Sequence, residues 1–518
     1  MPSIAVLPGL ASAAAVFAGP HGAVSRLARQ RGVCRQALYR EAHAVRAALE
    51  RTASSPPRRP RRPARRDAQA RPAAAPRPAL ALDADRQAQF AAAAQALGVS
   101  LTSARALLAV LLGPAAPSVP TLGRLAQRAG RQAAAALAVL DEYSRPRARQ
   151  VAADEIFAGR RPVLMTVEQH SLCWLGARRA DRRDGAEWAQ EFGQLPHLEQ
   201  VTRDGGQGLR HGLALANAQR RREGRPLIAD QEDHFHLLQR ARRALRAVRQ
   251  QAVRAFRQAE AAQRAFERDA WRGLRRSPMR SRLARQQWAR AERAFDRWSA
   301  QERAFERLRS ALRLFTPSGE LNTRQRAEAL VGAALAELTG PEWARARRRL
   351  VEPEAFTFLD RAQQQLAALP AAARDVVVQA EGLRRQPEAL RGDGPRAAAL
   401  RGVALAAGVA VWLLGACGTA LVQAVRGVLS QAWRASSLVE GVNSVLRMQQ
   451  ARQKRLTAGL LALKRLYWNM RVFRTGCRKG QSPYGRLGLA LPPGSWWELI
   501  KKTPEQLRQQ LSALNPAA

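Results

Sequence analysis

The spacing of apolar residues changes period along the chain. From 84 to 143 they recur every three or four positions, which predicts helices. At about residue 149 the pattern turns strand-like. "RQVAADEIF", "PVLMTVE" (Pro162–Glu168), "SLCWLGA" (Ser171–Ala177) and "LEQVTRD" (Leu198–Asp204) read as strands, and the start of "RPLIADQEDHFHLL" (Arg225–Leu238) as a fifth. Helices at Asp184–Leu195 and about 206–222 separate the later strands, so the predicted order is β-β-β-α-β-α-β.

Residues 237–315 return to a helical period. The triplet "RAF" recurs and places Phe256 and Phe266, then Phe295 and Phe305, ten residues apart within each half. Ten residues is close to three helical turns, so each pair shares a face. "RRSPMRSR" (Arg275–Arg282) interrupts the run, which predicts an antiparallel helical hairpin with a Phe/Trp seam and a basic exterior. Further on, Gly402–Val425 carries no charge and is long enough to span a bilayer. Its Ala and Gly content and Gln423 favour a buried helix over a membrane span.

The front of the chain reads differently. In "GAVSRLARQRGVCRQALYREAHAVR" (residues 22–46), Leu27 and Ala28 suit a first helix, Gly32 a turn needing positive φ, and Leu38 a second helix. That pattern predicts a helix-turn-helix whose outer face shows Arg35, Gln36, Tyr39 and Arg40, side-chain types that suit base edges and phosphates. An ordinary helical hairpin with a basic face fits the same residues. Arg51–Pro78 is an Arg/Pro-rich run that resists folding, as a DNA-following linker or a solvated spacer. Leu125, Ala126 and Gly130 repeat the first motif's spacing and make a candidate second helix-turn-helix.

Charge narrows the function classes. Lys+Arg number 86 and Asp+Glu 41, a formal net charge of +45 in 518 residues. No core needs that excess, so it implies a polyanionic partner, nucleic acid before an anionic membrane. Four widely separated cysteines (34, 173, 417 and 477) exclude a disulfide framework or a zinc ribbon and suit a reducing cytoplasm. The apolar N-terminus lacks the basic start of a signal peptide.

Against this charge, a few acids stand out. Asp154 lies in "VAADEIFAGRRPVL", Asp204 in "VTRDGGQGL" and Glu440 in the helical "SSLVEGVNSVLR" (Ser436–Arg447). "DHFHLL" (Asp233–Leu238) follows the fifth strand, and "NMRVFRTGCRKGQSPYGRLGL" (Asn469–Leu489) lies near the end. In this order the motifs resemble the DDE-type insertion-sequence transposases, which have an RNase H-like core. The resemblance is carried by about 150–240 and 430–490, with the front helix-turn-helix as context.

The resemblance implies a multidomain α+β protein: an N-terminal helix-turn-helix region, then an RNase H-like α/β core interrupted by a large all-helical insertion. The segments would be a helix-turn-helix (1–50), a disordered linker (51–83), a helical stretch (84–148), the first part of the core (149–239), the insertion (240–430) and a C-terminal part with the third acid and a basic tail (431–518). It implies Asp154, Asp204 and Glu440 as catalytic ligands of Mg²⁺ or Mn²⁺, because two such ions can align and stabilise the oxygens of a phosphodiester transfer. Glycines 205, 206 and 208 would clear room for the DNA backbone. Asn443 and Arg447 would contact DNA, and Asp233 and His236 would support the site from behind; Glu155 should point away from it. The partners would be double-stranded DNA, as element ends and target, and further copies of the chain in a homodimer or larger assembly, with no membrane. The setting would be the cytoplasm of a bacterium, at the nucleoid.

Asp204 and Glu440 are 440 − 204 = 236 residues apart, far more than in the simplest members, and other late acids compete for the third place. Two further readings stay open: a transposase-derived DNA-binding protein without catalysis, and a basic membrane-associated protein anchored by 402–425.

Overall fold

A computed structural model describes residues 12, 16, 23–34, 36–43, 82–158, 161–371, 373–386, 394–412, 415–452 and 456–516. The chain forms two compact units, Met1–Arg77 and Pro78–Ala518. It is a multidomain, mostly helical protein, with an N-terminal helical region and a small mixed sheet flanked by many helices.

In the first unit, helix Ala23–Gln30 is followed by a turn and a second helix over 36–43. Gly32 has φ +64°, the left-handed value the turn demands. The Val33 N–H closes the turn by donating to the Ala28 carbonyl at 3.1 Å. Ala28, Leu38 and Ala42 are buried, whereas Gln36, Tyr39 and Arg40 are exposed. Arg35 and the Arg51–Pro78 run lie outside the described residues.

The second unit is built on five strands: β1 (Gln150–Ala158), β2 (Arg161–Glu168), β3 (Trp174–Arg179), β4 (Gln200–Arg203) and β5 (Ala229–Glu232). Their order is β3-β2-β1-β4-β5. β1 pairs antiparallel with β2, and β2 with β3, while β1, β4 and β5 run parallel. The β-β-β-α-β-α-β order holds, with β5 starting four residues later than Arg225.

Both faces of the sheet are covered, as the buried runs of β1 and β2 require. Val151, Ala153, Leu164 and Val201 pack with helices Ala84–Ala96, Val119–Ser144, Gly185–Gly193, Gln207–Arg222 and Ala458–Met470. Ala152, Ile156, Val163 and Met165 pack with Val439, Val442 and Leu446 of helix Ser437–Arg452. The 84–148 stretch therefore shares the sheet's core. The edge strand β3 is closed by a side chain: Asn469 Oδ1 accepts from the Trp174 N–H at 2.8 Å, and its Nδ2 donates to the Trp174 carbonyl at 3.0 Å.

The long stretch between β5 and helix Ser437–Arg452 is mostly helical among the described residues. Helices His234–Trp271 and Ser277–Ala311 form the hairpin, turning near Gly273 (φ +62°). Its seam includes Phe256 against Trp288 and Phe295, with ring centroids 5.4 and 6.0 Å apart.

Two expectations are corrected. Gly130 makes no turn: it lies inside one unbroken helix, Val119–Ser144. There it lets two backbones touch, because a Cβ at this position would stand 2.8 Å from the Gly459 carbonyl oxygen. A second helix-turn-helix at Leu125, Ala126 and Gly130 is thus replaced by a close helix crossing.

The 402–425 segment is not one buried helix. It is split between Pro395–Trp412 and Gly415–Ser430, with Gly415 at φ +67°. In the first of these, Leu405 and Trp412 are each 70% exposed, whereas Leu421 and Val425 in the second are buried. The left-handed glycine breaks the span, and Leu421, Val425 and Leu429 of the second half join a core cluster with Phe315, Leu366 and Val377. Among the described residues no single helix is long and apolar enough to cross a membrane.

A packing test follows from the glycines after β4. A Cβ on Gly208 would stand 1.9 Å from the Arg183 carbonyl oxygen, whereas one on Gly193 meets nothing within 4 Å. Gly208→Ala should destabilise the protein by about 1–3 kcal/mol through overpacking, and Gly193→Ala by less than about 0.5 kcal/mol. Urea unfolding of the two variants checks this, and equal midpoints would refute it.

Candidate active site

β1 and β4 run parallel with Ala152 opposite Thr202. The register ends at Ala153 opposite Arg203, so Asp154 and Asp204, the next residue of each chain segment, stand side by side, and the Asp204 charge acts on Asp154. Helix Ser437–Arg452 packs over the sheet. Val439, Val442 and Leu446 lie against Ala152 and Ile156, which brings Glu440 and Asn443 over the same end of the sheet. Asn443 is buried and donates from Nδ2 to Asp154 Oδ2 at 2.6 Å.

The segment before this helix is tied down by polar contacts. Gln200 Nε2 donates to the Trp433 carbonyl at 3.3 Å, and Gln169 Nε2 to that of Ala435 at 3.5 Å. Ser436 Oγ donates to Asp233 Oδ2 at 2.6 Å. Asp233 is fully buried, and its other oxygen accepts from the Phe235 N–H at 2.7 Å, capping the helix that follows β5. One carboxylate thus joins the end of β5 to the start of the Glu440 helix. His236 Nε2 stands 3.6 Å from that carboxylate. Its neighbour His234 is a packing residue: it is buried, bonds the Ala355 carbonyl at 2.7 Å, and burial pushes its pKa down to about 3.

Electrostatics link the three acids. The Asp154 carboxyl is pushed up to about 7, first by burial and then by the charges of Asp204 and Glu440; the Glu155 N–H, which donates to its Oδ1 at 2.8 Å, opposes the rise. Asp204 Oδ1 accepts from the Gly206 N–H at 2.9 Å, and Glu440 pairs with Arg447 at 2.9 Å. Arg447 therefore faces the third acid directly. Among the described residues no three His, Cys, Asp or Glu side chains are grouped closely enough to hold a metal ion as they stand. Glu155 points to the opposite face, where Trp188 Nε1 donates to it at 3.1 Å.

The glycines after Asp204 are closely approached by protein atoms, while Gly206 and Gly208 also line an open cleft of about 820 Å³ with Glu155, Arg183 and His211. Gly208 abuts Arg183, and a Cβ on Gly205 would stand 2.9 Å from Nη2 of both Arg240 and Arg349. Only at Gly208 is the neighbour a backbone atom, the Arg183 carbonyl oxygen, so that glycine is required by close packing.

Sequence reasoning missed Arg203, although a charged residue at a buried strand position was a signal. Arg203 is fully buried. It donates to Asp230 at 2.6 Å, to Glu232 at 3.1 Å and to the Asp204 carbonyl at 3.0 Å. Burial raises the pKa of both Asp230 and Glu232, and the Arg203 charge opposes that rise. Removing one partner from such a buried cluster leaves uncompensated charge.

Comparison with known proteins finds no matching family model, no matching curated protein and no matching solved structure.

The raised Asp154 pKa predicts a pH dependence. A carboxyl that titrates near 7 when folded and near 3.8 when unfolded favours folding in its protonated form. That stabilisation is complete below about pH 4 and is lost as pH rises through 7. In metal-free buffer Asp154→Asn should therefore stabilise the protein at pH 8 relative to pH 4.5, by about 1–3 kcal/mol given partial exposure. Melting curves at the two pH values test this, and a pH-independent difference would refute it.

Proposed function

We propose that the chain is a DDE-type DNA transposase, an enzyme that binds the ends of a mobile DNA element and carries out metal-dependent strand cleavage and transfer on an RNase H-like core. The observation that carries the reading is the convergence of Asp204, just after β4, and Glu440, on the helix packed over the sheet, on Asp154 of β1, whose carboxyl both charges raise. The sheet supports it too: three antiparallel strands followed by two parallel ones is the arrangement an RNase H-like core requires. So does the +45 charge, which suits a polyanion.

The donor set suits Mg²⁺ or Mn²⁺, since all three candidate ligands are carboxylates. Burial first, and then the charges of Asp204 and Glu440, raise the Asp154 pKa, and that added repulsion is the kind of charge clustering a divalent cation relieves. Asp154, Asp204 and Glu440 would hold the ion, which when bound favours deprotonation of the attacking oxygen and stabilises the leaving one. The remaining work falls to the chain. The strands hold two of the acids, Asn443 orients the Asp154 carboxylate, and Arg447 balances Glu440 until phosphate competes for it. Asp233 and Ser436 fix the helix that brings Glu440 in.

With purified full-length protein, Mn²⁺ or Mg²⁺, and a plasmid carrying the DNA that flanks the gene, the native chain should nick or cut at defined positions. Asp154→Asn, Asp204→Asn and Glu440→Gln should each lower that rate by at least about a hundredfold, the scale of losing one charge-stabilising group, with DNA binding retained. Full activity in any of the three would remove that residue from the assignment, and cleavage in all three would end the reading.

The exposed face of the second N-terminal helix would read the element ends. Gln36→Ala in the full chain should cost about 1–3 kcal/mol of preference for end DNA over unrelated duplex, with general affinity little changed. Competition binding checks this, and an unchanged preference would favour the plain helical hairpin.

A further inference from the structure

A second charged feature begins one residue beyond Asp204. Arg349 Nη2 donates to the Gly205 carbonyl at 2.6 Å. Arg349 forms one wall of a cleft of about 730 Å³, within the size range of ligand sites. Three elements supply its arginines: Arg210 from the helix after β4, Arg240 and Arg243 from the helix after β5, and Arg345, Arg348 and Arg349 from helix Ala344–Leu350 of the insertion.

The acids that line the cleft are already engaged. Glu352 pairs with Arg349 at 2.9 Å and with Arg210, and Glu342 pairs with Arg297 at 3.1 Å outside the cleft lining. Arg240 is held to the buried Glu232 at 3.3 Å. Arg243, Arg345 and Arg348 are exposed and form no ion pair among the described residues. Arg345 and Arg348 are three residues apart on one helix and repel each other unless an anion lies between them and solvent. The cleft therefore has a braced inner wall of paired arginines and an outer rim of uncompensated ones.

We propose that this cleft binds the phosphodiester backbone of the nucleic-acid strand that enters the Asp154–Asp204–Glu440 site. Arg243, Arg345 and Arg348 contact phosphates, while Arg240 and Arg349, fixed by Glu232 and Glu352, hold the cleft against Gly205. The inference rests on the transposase reading for why a strand passes Asp204. It also gives the insertion a role, since the insertion carries the helix that supplies half the cleft's arginines. Guanidinium groups suit this role because their forked donors match phosphate oxygens.

The test uses the full chain and a short DNA duplex in metal-free buffer, so binding is read apart from cleavage. Each neutralised phosphate adds about 0.9 to the slope of log affinity against log salt. The triple Arg243→Gln, Arg345→Gln, Arg348→Gln should flatten that slope by about 2–3 and weaken binding at low salt at least about tenfold. The exposed hairpin arginines Arg257, Arg272 and Arg275, changed together to Gln, should change the slope by less than about 1. The Lys triple at the cleft positions should keep the native slope.

Native slope and affinity in the Gln triple would overturn the proposal. So would a loss in the Lys triple as large as in the Gln triple, since that reports folding rather than charge. So would equal competition by inorganic phosphate at matched phosphate concentration, which would make the cleft a small-anion site. Asp204→Asn should retain the native slope. A native chain that shows the cleft-dependent slope yet never cuts DNA would refute the catalytic reading and leave the cleft standing.

Discussion

Charge held at the ends of buried parallel strands is costly unless every group meets a fixed partner, and much of this protein is arranged around that constraint. Arg203 is fully buried at the end of β4 and is matched by Asp230 and Glu232 on β5. Asp233, one residue beyond β5, is matched by Ser436 and the Phe235 N–H. Asp154 on β1 meets Asn443 and the Glu155 N–H, yet its carboxyl is still pushed up to about 7. It is the one of these groups whose partners leave a clear excess of negative charge nearby.

The helices follow from the sheet's two apolar faces. One face is covered by helices from both before and after the strands, including Val119–Ser144 and Ala458–Met470, whose backbones meet at Gly130 and Gly459. The other is covered by the Glu440 helix. A helix that packs through Val439, Val442 and Leu446 cannot rotate without losing that burial, so Glu440 and Asn443 are directed by hydrophobic packing before any electrostatic term acts. The 236 positions that separate Asp204 from Glu440 are bridged mainly by helices with cores of their own, which is why so long an excursion can return to the same sheet.

Much of the architecture was legible from local chemistry. Alternating and continuous apolar runs marked the five strands, and the ten-residue RAF spacing marked the hairpin seam between Phe256 and Phe295. Asp154 within the first strand, Asp204 just after the fourth and Glu440 on a late helix drew notice because acids are few in so basic a chain. Harder cases shared one cause: glycine and apolar composition do not say what lies next to them. Gly130 has the spacing of a turn but serves a helix crossing, and Gly208 is fixed by its contact with the Arg183 carbonyl as well as lining a cleft. The uncharged 402–425 stretch has the composition of a core helix but is broken at Gly415 and half exposed.

The sequence by itself determined the periods, the charge excess and the residue types that can do chemistry, because these depend on side chains a few positions apart. Only the tertiary structure decided which of them meet. Parallel pairing in the register of Ala152 with Thr202 brings Asp154 and Asp204 beside each other, and a slip in that register would have moved them apart. The pairing of Asn443 with Asp154, of Ser436 with Asp233 and of Arg349 with Gly205 joins residues 289, 203 and 144 positions apart. Contacts at that range are set by how whole elements bury their apolar faces, a property no local window contains.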